Sequence, residues 1–432
     1  MANDKNKDNH ETRNDIPRHP IDLALQSFLD AIEDYREACI MALPNAVQNR
    51  VKTLNKVNRK IRNFEKNAKP DGSIELQQAH QVKELLDALK EYERLTNSKL
   101  LPLMARSFFI GIFTEYDRFI GNLLNAIYSK KPELYKTIKK EISLSELIET
   151  NNLDEIKRNI LEEEIDTFRR GSYVDQFSDL EAKFNISTLK KFDDWPKFIE
   201  CAQRRNLMTH NGGRVSQQYI KLCTKEGYKF TETPKIGDEL NLEPEYLFEA
   251  LKTVSKIGFM LTHTLWRKIF PDEIDLADHA MNGSLYFLLE KQRWRTASEF
   301  GEFSLTTMMS KETNSMVKMI RIVNTALALK FNKHSNRAIQ LLDEVDWSAC
   351  IRDFKLAVAI IKDDFKLASE IMKDIGKSGE LVNELAYYQW PLFEEFRGST
   401  EFQDAFYEVY GAEFKNQINL PKLQDIKKSK QP

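Results

Sequence analysis

The chain has 432 residues and a mass of 50.5 kDa, more than one ordinary domain, and its length predicts about three units. Hydrophobic residues make up 41% and charged residues 30%, with only 15 glycines and 13 prolines, which favours helices over a many-turned β fold. The 64 lysines and arginines nearly cancel the 66 acids for a formal charge of −2, so any nucleic-acid or membrane surface must be local. Four scattered cysteines, Cys39, Cys201, Cys223 and Cys350, form no CxxC and have no histidine at ligand spacing. That argues against a disulfide framework and a structural zinc site, and sets a reducing cytoplasm as the expected location. No apolar run reaches about 18 residues and the opening MANDKNKDNHETRND has no apolar signal core, so neither a membrane span nor a leader is expected. The expectation is a soluble, intracellular, all-α protein.

Residues 1–20 are polar, end in Pro17 and Pro20, and are expected to be disordered. Residues 21–99 predict a helical hairpin. Val47, Leu54, Ile61 and Ala68 recur every seven residues, and Ala79, Val82, Leu86, Leu89 and Tyr92 carry a second 3/4 pattern. Pro70-Asp71-Gly72-Ser73 between them supplies a reversal. The first arm is basic between Gln48 and Lys69, with Lys56, Arg59 and Arg62 among its cations there and Glu65 the single acid. It reads either as a solvated face or as a surface that tracks RNA phosphates, and the arm alone does not decide.

Residues 100–275 predict a helical domain. Ser107–Leu124 is apolar nearly all round and predicts a central helix, interrupted by Glu115, Asp117 and Arg118. Buried charges cost several kcal/mol unless paired, so these three should face an edge, a cleft or each other. Helical patterns follow near 153–184, at Trp195–His210 and after Pro244, and Gly227–Leu242 suggests a small hairpin. From 276 to 412 the texture becomes short helices with packing positions twelve apart: Leu285 and Ala297, Ala326 and Ala338, Leu356 and Ala368. This resembles tetratricopeptide-type helix pairs of irregular length, whose use is a protein partner or simply a larger core. Residues 413–432 form a tail.

The chemistry concentrates at one helix end. Pro196 suits the first turn of a helix that Gly212-Gly213 would end, placing His210 in its last turn. Asn206 lies four residues before His210 on the same face; Arg205 lies five before, about 140° round, within reach of a long guanidinium. An imidazole, a cation and an amide suit metal-independent cleavage of RNA, which brings its own 2′-OH nucleophile. A P-loop, G-x-G-x-x-G, G-x-S-x-G and H-E-x-x-H are all missing, and His263, His279 and His334 stand apart from other ligand types. No cofactor or metal site is expected.

The phrase Arg205-Asn206-x-x-x-His210-Asn211-Gly212-Gly213 resembles the signature of the HEPN superfamily: Arg, a polar residue, then His after four to six residues. Ser107–Leu124 with the following Lys131-Pro132-Glu133-Leu134, and Arg169-Arg170-Gly171-Ser172-Tyr173, also resemble that family, over roughly residues 100–270. The resemblance implies a helical bundle that dimerises to bring two motifs into one RNA-cutting cleft. It implies proton transfer by His210, phosphate stabilisation by Arg205 and orientation of the histidine by Asn206. Arg204 and Asn211 are candidate RNA contacts by adjacency. HEPN ribonucleases commonly serve as toxins or antiviral effectors. The alternative is a catalytically silent HEPN scaffold that binds protein or nucleotide.

Overall fold

The computed structural model describes residues 18–66, 79–141, 150, 152–311 and 313–414. The expectations for residues 1–17, the Pro70–Ser73 turn and residues 415–432 lie outside these. The described elements are α- and 3₁₀-helices with two isolated backbone bridges, so the fold is all-α as composition indicates. No helix among the described residues is long and apolar enough to cross a membrane. The chain divides into two compact units, Met1–Thr262 and His263–Pro432. The residues read as a hairpin and 100–262 of those read as a middle domain belong together in the first unit, while 263–275 fall in the second.

In the first unit, α1 (Pro20–Glu65) is capped by His19, with a proline in its first turn. Its first half buries Ile21, Leu25, Phe28 and Ile32. The partner is α3 (Leu100–Lys130), whose near-continuous apolar sequence buries Phe109, Ile112, Phe113, Tyr116, Phe119 and Ile120. Each large side chain so buried contributes about 1.5–3 kcal/mol. Two glycines, Gly111 on α3 and Gly258 in the helix Pro244–Ile269, let α1 approach closely. A Cβ at Gly111 would strike the Tyr35 ring, and one at Gly258 would lie 2.5 Å from Phe28 Cε1. Phe28 stacks on Phe119 at 4.4 Å between centroids.

The second half of α1 pairs with α2 (Ala79–Thr96) through Val57, Ala88 and Leu95, flanked by Leu54 and Ile61. The expected seam on α2 needs correction. Val82, Leu86, Leu89 and Tyr92 face outward at 38–50% exposure, and Val47 on α1 is exposed as well. The α2 sequence is apolar over two adjoining edges, and a single partner helix covers only one of them.

Helices α4 (Leu153–Arg170), α5 (Tyr173–Phe184), α6 (Trp195–His210), α7 (Gln217–Lys225) and α8 (Pro244–Ile269) follow, and the unit boundary falls inside α8. Gly171 ends α4, and Ser172 caps α5 through its hydroxyl oxygen, which accepts from the Asp175 N–H at 3.2 Å.

In the second unit, α9 (Ile274–Glu290), α10 (Trp294–Ser304), α11 (Ser315–Phe331), α12 (Ser335–Asp343), α13 (Arg352–Ile361) and α14 (Phe365–Ile375) form three helix pairs. Each pair closes on the same turn. One residue adopts the left-handed conformation: Gln292 (φ 54°), Lys333 (φ 65°) and Asp363 (φ 62°). The next N–H then returns to the first helix, Arg293 to Leu288 O, His334 to Leu329 O and Asp364 to Ala359 O, at 2.8–2.9 Å. Seven residues before and five after each left-handed residue lie the twelve-apart pairs read from sequence. All six are buried to 1% exposure or less. Small residues at Ala297, Ala338 and Ala368 let each second helix approach its first. The fully buried Arg321 binds Asp278 at 2.6 Å, Asn282 at 3.0 Å and the Ser304 carbonyl at 3.2 Å, and Arg267 shares the same carboxylate.

Candidate functional site

Helix α6 begins with a proline in its first turn and carries His210 in its last. Its end is fixed by backbone. The Leu207 carbonyl accepts from Asn211 N–H at 2.8 Å and from Gly213 N–H at 3.0 Å. Gly212 and Gly213 are left-handed, with φ of 59° and 81°, and a Cβ on Gly213 would lie 3.1 Å from Met208 Sδ. Glycine is needed at both positions for conformation and at Gly213 for space as well. Residues 213–215 then pair with 237–240: Val215 N–H to Asp238 O (2.9 Å), Gly237 N–H to Val215 O (2.9 Å) and Leu240 N–H to Gly213 O (3.0 Å). The segment expected to be a hairpin at Gly227–Leu242 therefore does not pair with itself. Its last residues latch onto the chain just after His210, with Arg214 opposite Glu239.

The two adjacent arginines have opposite fates. Arg204 stacks over the Tyr246 ring at 3.9 Å, donates to Glu200 Oε1 at 2.8 Å and donates to the Asn241 carbonyl at 3.2 Å. Glu200, 1% exposed, also accepts from the Tyr219 and Tyr246 hydroxyls, each at 2.6 Å. Burial acts to lower the Arg204 pKa, but its surroundings of Tyr246, the Glu200 carboxylate and Tyr219 outweigh it and the net shift is upward. Arg204, expected as a second phosphate contact, thus spends its Nε, Nη1 and one face on Glu200, Asn241 and Tyr246. Sequence adjacency had no bearing on which way its side chain turned.

Arg205 is largely unsatisfied. A guanidinium carries five N–H donors. Here Nη1 donates to Asn206 Oδ1 at 3.2 Å, Nη2 lies 3.7 Å from Asp117 Oδ2, and the buried Nε has no acceptor among the described residues. Its side chain is 24% exposed. His210 is exposed, and its side chain makes no hydrogen bond or ion pair with a described residue. Asn206 thus engages Arg205 and not His210. Asn211 is exposed and uses its side-chain amide to hold the turn, donating to the Arg214 carbonyl at 2.7 Å.

Two residues join the site that motif reading did not assign to it. Asp117, on α3, accepts a 2.7 Å hydrogen bond from the hydroxyl of Tyr173, the first residue of α5. Burial holds the Asp117 carboxyl above its ordinary range, against the lowering pull of Tyr173, Arg205 and Arg169. The signal for Asp117 was its charge within an apolar helix, and for Tyr173 its place at the end of the Arg169–Tyr173 phrase. Of the other interrupting charges, Glu115 and Arg118 pair with each other. Beneath these groups Phe113, Tyr116, Tyr173, Phe177, Trp195 and Phe198 form a continuous ring cluster with centroid spacings of 4.7–6.2 Å. Such pairs add about 0.5–1.5 kcal/mol each beyond area burial, so α3, α5 and α6 form one stiff support.

On the Met208–Gly212 side the helix end borders a cavity of about 570 Å³, also lined by Leu43, Val47, Leu103 and Arg106. Lys56, Arg59 and Arg62 lie exposed on α1 and form no ion pair with a described residue; none touches the motif. The neighbouring Lys60 pairs with Glu84 at 3.7 Å. Among the described residues no three His, Cys, Asp or Glu side chains are grouped to hold a metal ion. Comparison with protein-family models, with characterised proteins and with solved structures returns no match.

Proposed function

We propose that the chain is an HEPN-type endoribonuclease that cuts RNA by 2′-OH attack, with the end of α6 as its reactive edge. The observation that carries this reading is the contrast between Arg204, which the fold holds through two hydrogen bonds and a stacked ring, and Arg205, which makes one hydrogen bond and stays partly exposed. A cation kept near the surface with most of its donors unpaired suits an anion. His210, exposed at the same helix end, takes the proton of the 2′-OH as its oxygen attacks phosphorus; Arg205 offsets the charge that builds on the phosphate. The P–O5′ bond breaks, leaving a 2′,3′-cyclic phosphate and a 5′-OH.

The leaving oxygen needs a proton, and one motif supplies a single imidazole. A two-fold dimer about the α6 end completes the set with the second chain's His210. Lys56, Arg59 and Arg62 supply phosphate contacts remote from the cut, and the helix pairs of the second unit receive a protein partner. Four free thiols, three of them buried, suit a reducing cytoplasm. A toxin or antiviral effector is the biology that matches this chemistry. The second reading, a silent scaffold that binds protein or nucleotide, draws on one observation: Asn206 turns to Arg205 and leaves His210 without an orienting partner.

RNA incubated with the wild type in EDTA, beside His210→Ala and Arg205→Ala, tests the proposal. Cleavage should persist in EDTA, yield cyclic-phosphate and 5′-OH ends, and fall at least ~10²-fold in each variant. RNA bound but left intact would favour the scaffold, and a monomer cutting at full rate would remove the dimer.

A further inference from the structure

We infer that Asp117 and Tyr173 are positioning residues for Arg205, a carboxylate–phenol pair that aims its guanidinium at the RNA phosphate. This inference rests on the endoribonuclease reading above and adds the groups that make its cation effective. The warrant is geometric. Three helices distant in sequence contribute one group each: Asp117 from α3, Tyr173 from α5 and Arg205 from α6. The Tyr173 hydroxyl donates to Asp117 Oδ1 at 2.7 Å, which fixes the carboxylate plane and turns the other oxygen, Oδ2, toward Arg205 Nη2 at 3.7 Å.

Tyr173 cannot wander, because its ring is 8% exposed and packs against Phe113, Tyr116 and Phe198. Rigidity therefore passes from the aromatic cluster to the phenol, from phenol to carboxylate, and from carboxylate to the cation. An untethered arginine samples many rotamers, so holding one edge of the guanidinium reduces what binding must freeze. At 3.7 Å Asp117 attracts Nη2 without a close hydrogen bond to it. Nη1 meets only a neutral amide oxygen, and Asp117 touches no other motif residue. The site thus contains a guanidinium steered at one end and left able to bind at the other.

The pair is also distinct from an ordinary structural ion pair in the same unit. Arg204 is enclosed by a carboxylate, a carbonyl and a ring, with its side chain 15% exposed. Arg205 has a single charged partner, set at long range, and more exposure. A fold that needed Arg205 only for stability would have closed on it as it closes on Arg204.

The test is single-turnover cleavage of a single-stranded RNA oligonucleotide in EDTA by the full chain. The variants are His210→Ala, Arg205→Ala, Asp117→Asn, the Asp117→Asn/Arg205→Ala double, Tyr173→Phe and, as a control on the same helix, Glu115→Gln. Misaiming a group by about 1 Å can cost up to ~10²-fold, so Asp117→Asn should slow cleavage ~10-fold or more with the half-saturating enzyme concentration within about twofold of wild type. Tyr173→Phe keeps the ring and removes only the hydroxyl; it should lose about three- to fivefold, by the same route. Asp117→Asn should add nothing to Arg205→Ala, because a positioning group has no effect once the group it positions is gone. Glu115→Gln should cut as wild type does.

Asp117→Asn and Tyr173→Phe both cutting at the wild-type rate, while His210→Ala is dead, would overturn the inference and leave the endoribonuclease reading standing. Equal losses from Asp117→Asn with and without Arg205 would also overturn it, since Asp117 would then act on its own. If Asp117→Asn loses helical circular dichroism, Tyr173→Phe decides, and its wild-type rate would count against the inference. A wild type as inert as His210→Ala would remove both.

Discussion

Glu200→Gln should destabilise the first unit far more than a surface substitution, and the reason can be itemised atom by atom. Glu200 is 1% exposed and accepts three hydrogen bonds, from Arg204 at 2.8 Å and from the Tyr219 and Tyr246 hydroxyls at 2.6 Å each. An amide of the same shape keeps one acceptor oxygen and turns the other into a donor facing a donor. Breaking a buried ion pair from one side costs about 3–5 kcal/mol. Arg204 retains its ring and the Asn241 carbonyl and is 15% exposed, which relieves part of that cost. The expected loss is therefore about 3 kcal/mol, the lower end of that range. Urea denaturation followed by Trp195 fluorescence reads it, because Trp195 is the single tryptophan before residue 263 and is buried at 2% exposure. The reporter needs Phe at Trp266, Trp294, Trp347 and Trp390 in both wild type and variant. Glu200→Gln/Arg204→Gln should recover more than half the loss, since no cation is then stranded. A single variant within about 0.5 kcal/mol of wild type would refute the reasoning, for that is the range of substitutions that touch nothing.

Asp117→Asn should gain in relative stability as pH rises. Burial raises the folded Asp117 pKa above its reference value of 3.8, so stability is lost as pH climbs from there through the raised value, and the amide escapes that loss. Melting temperatures of variant and wild type should separate in the variant's favour between acid and neutral pH; a gap moving the other way would contradict the assignment. Gly213→Ala should cost about 1–2 kcal/mol for its left-handed backbone alone, with more for the 3.1 Å approach to Met208 Sδ, measured by the same urea midpoint. Reversal of Lys56, Arg59 and Arg62 to Glu should weaken RNA binding and flatten its dependence on salt; an unchanged salt slope would leave them as a solvated face.

What was legible in the sequence was local. The apolar run at Ser107–Leu124 forms the core of α3, because a helix apolar all round has no exposed face to offer. The stop at Gly212-Gly213 was legible too, since left-handed backbone selects glycine wherever it occurs. The twelve-apart pairs in the second unit mark real packing positions for the same reason: both members lie within one helix–turn–helix. The errors and omissions were non-local. Nothing near Arg204 announced that Tyr246 would stack on it, and nothing near Arg205 pointed to Asp117, 88 positions earlier. The α2 seam failed differently: its apolar pattern is wide enough for two neighbours, and periodicity does not say which edge a lone partner takes. Gly227–Leu242 had the turn residues of a hairpin, but its backbone partner was the helix stop upstream.

That latch has a practical consequence. The three backbone bonds between 213–215 and 237–240 form the neck of a 21-residue lobe, 216 to 236, whose helix α7 packs Tyr219 and Cys223 against Leu207 and Val215. Thr231, Glu232 and Thr233 within it are exposed. Once a neck is fixed, enlarging the loop beyond it alters mainly closure entropy, and each doubling of length costs only about 0.6 kcal/mol. A peptide epitope or dye-bearing segment inserted at Thr231–Thr233 would thus sit on the lobe that follows the reactive helix end, with the stop after His210 still held by its own bonds. The lobe is a natural handle for attaching the protein to a surface or reporting on an approaching nucleic acid without touching the histidine.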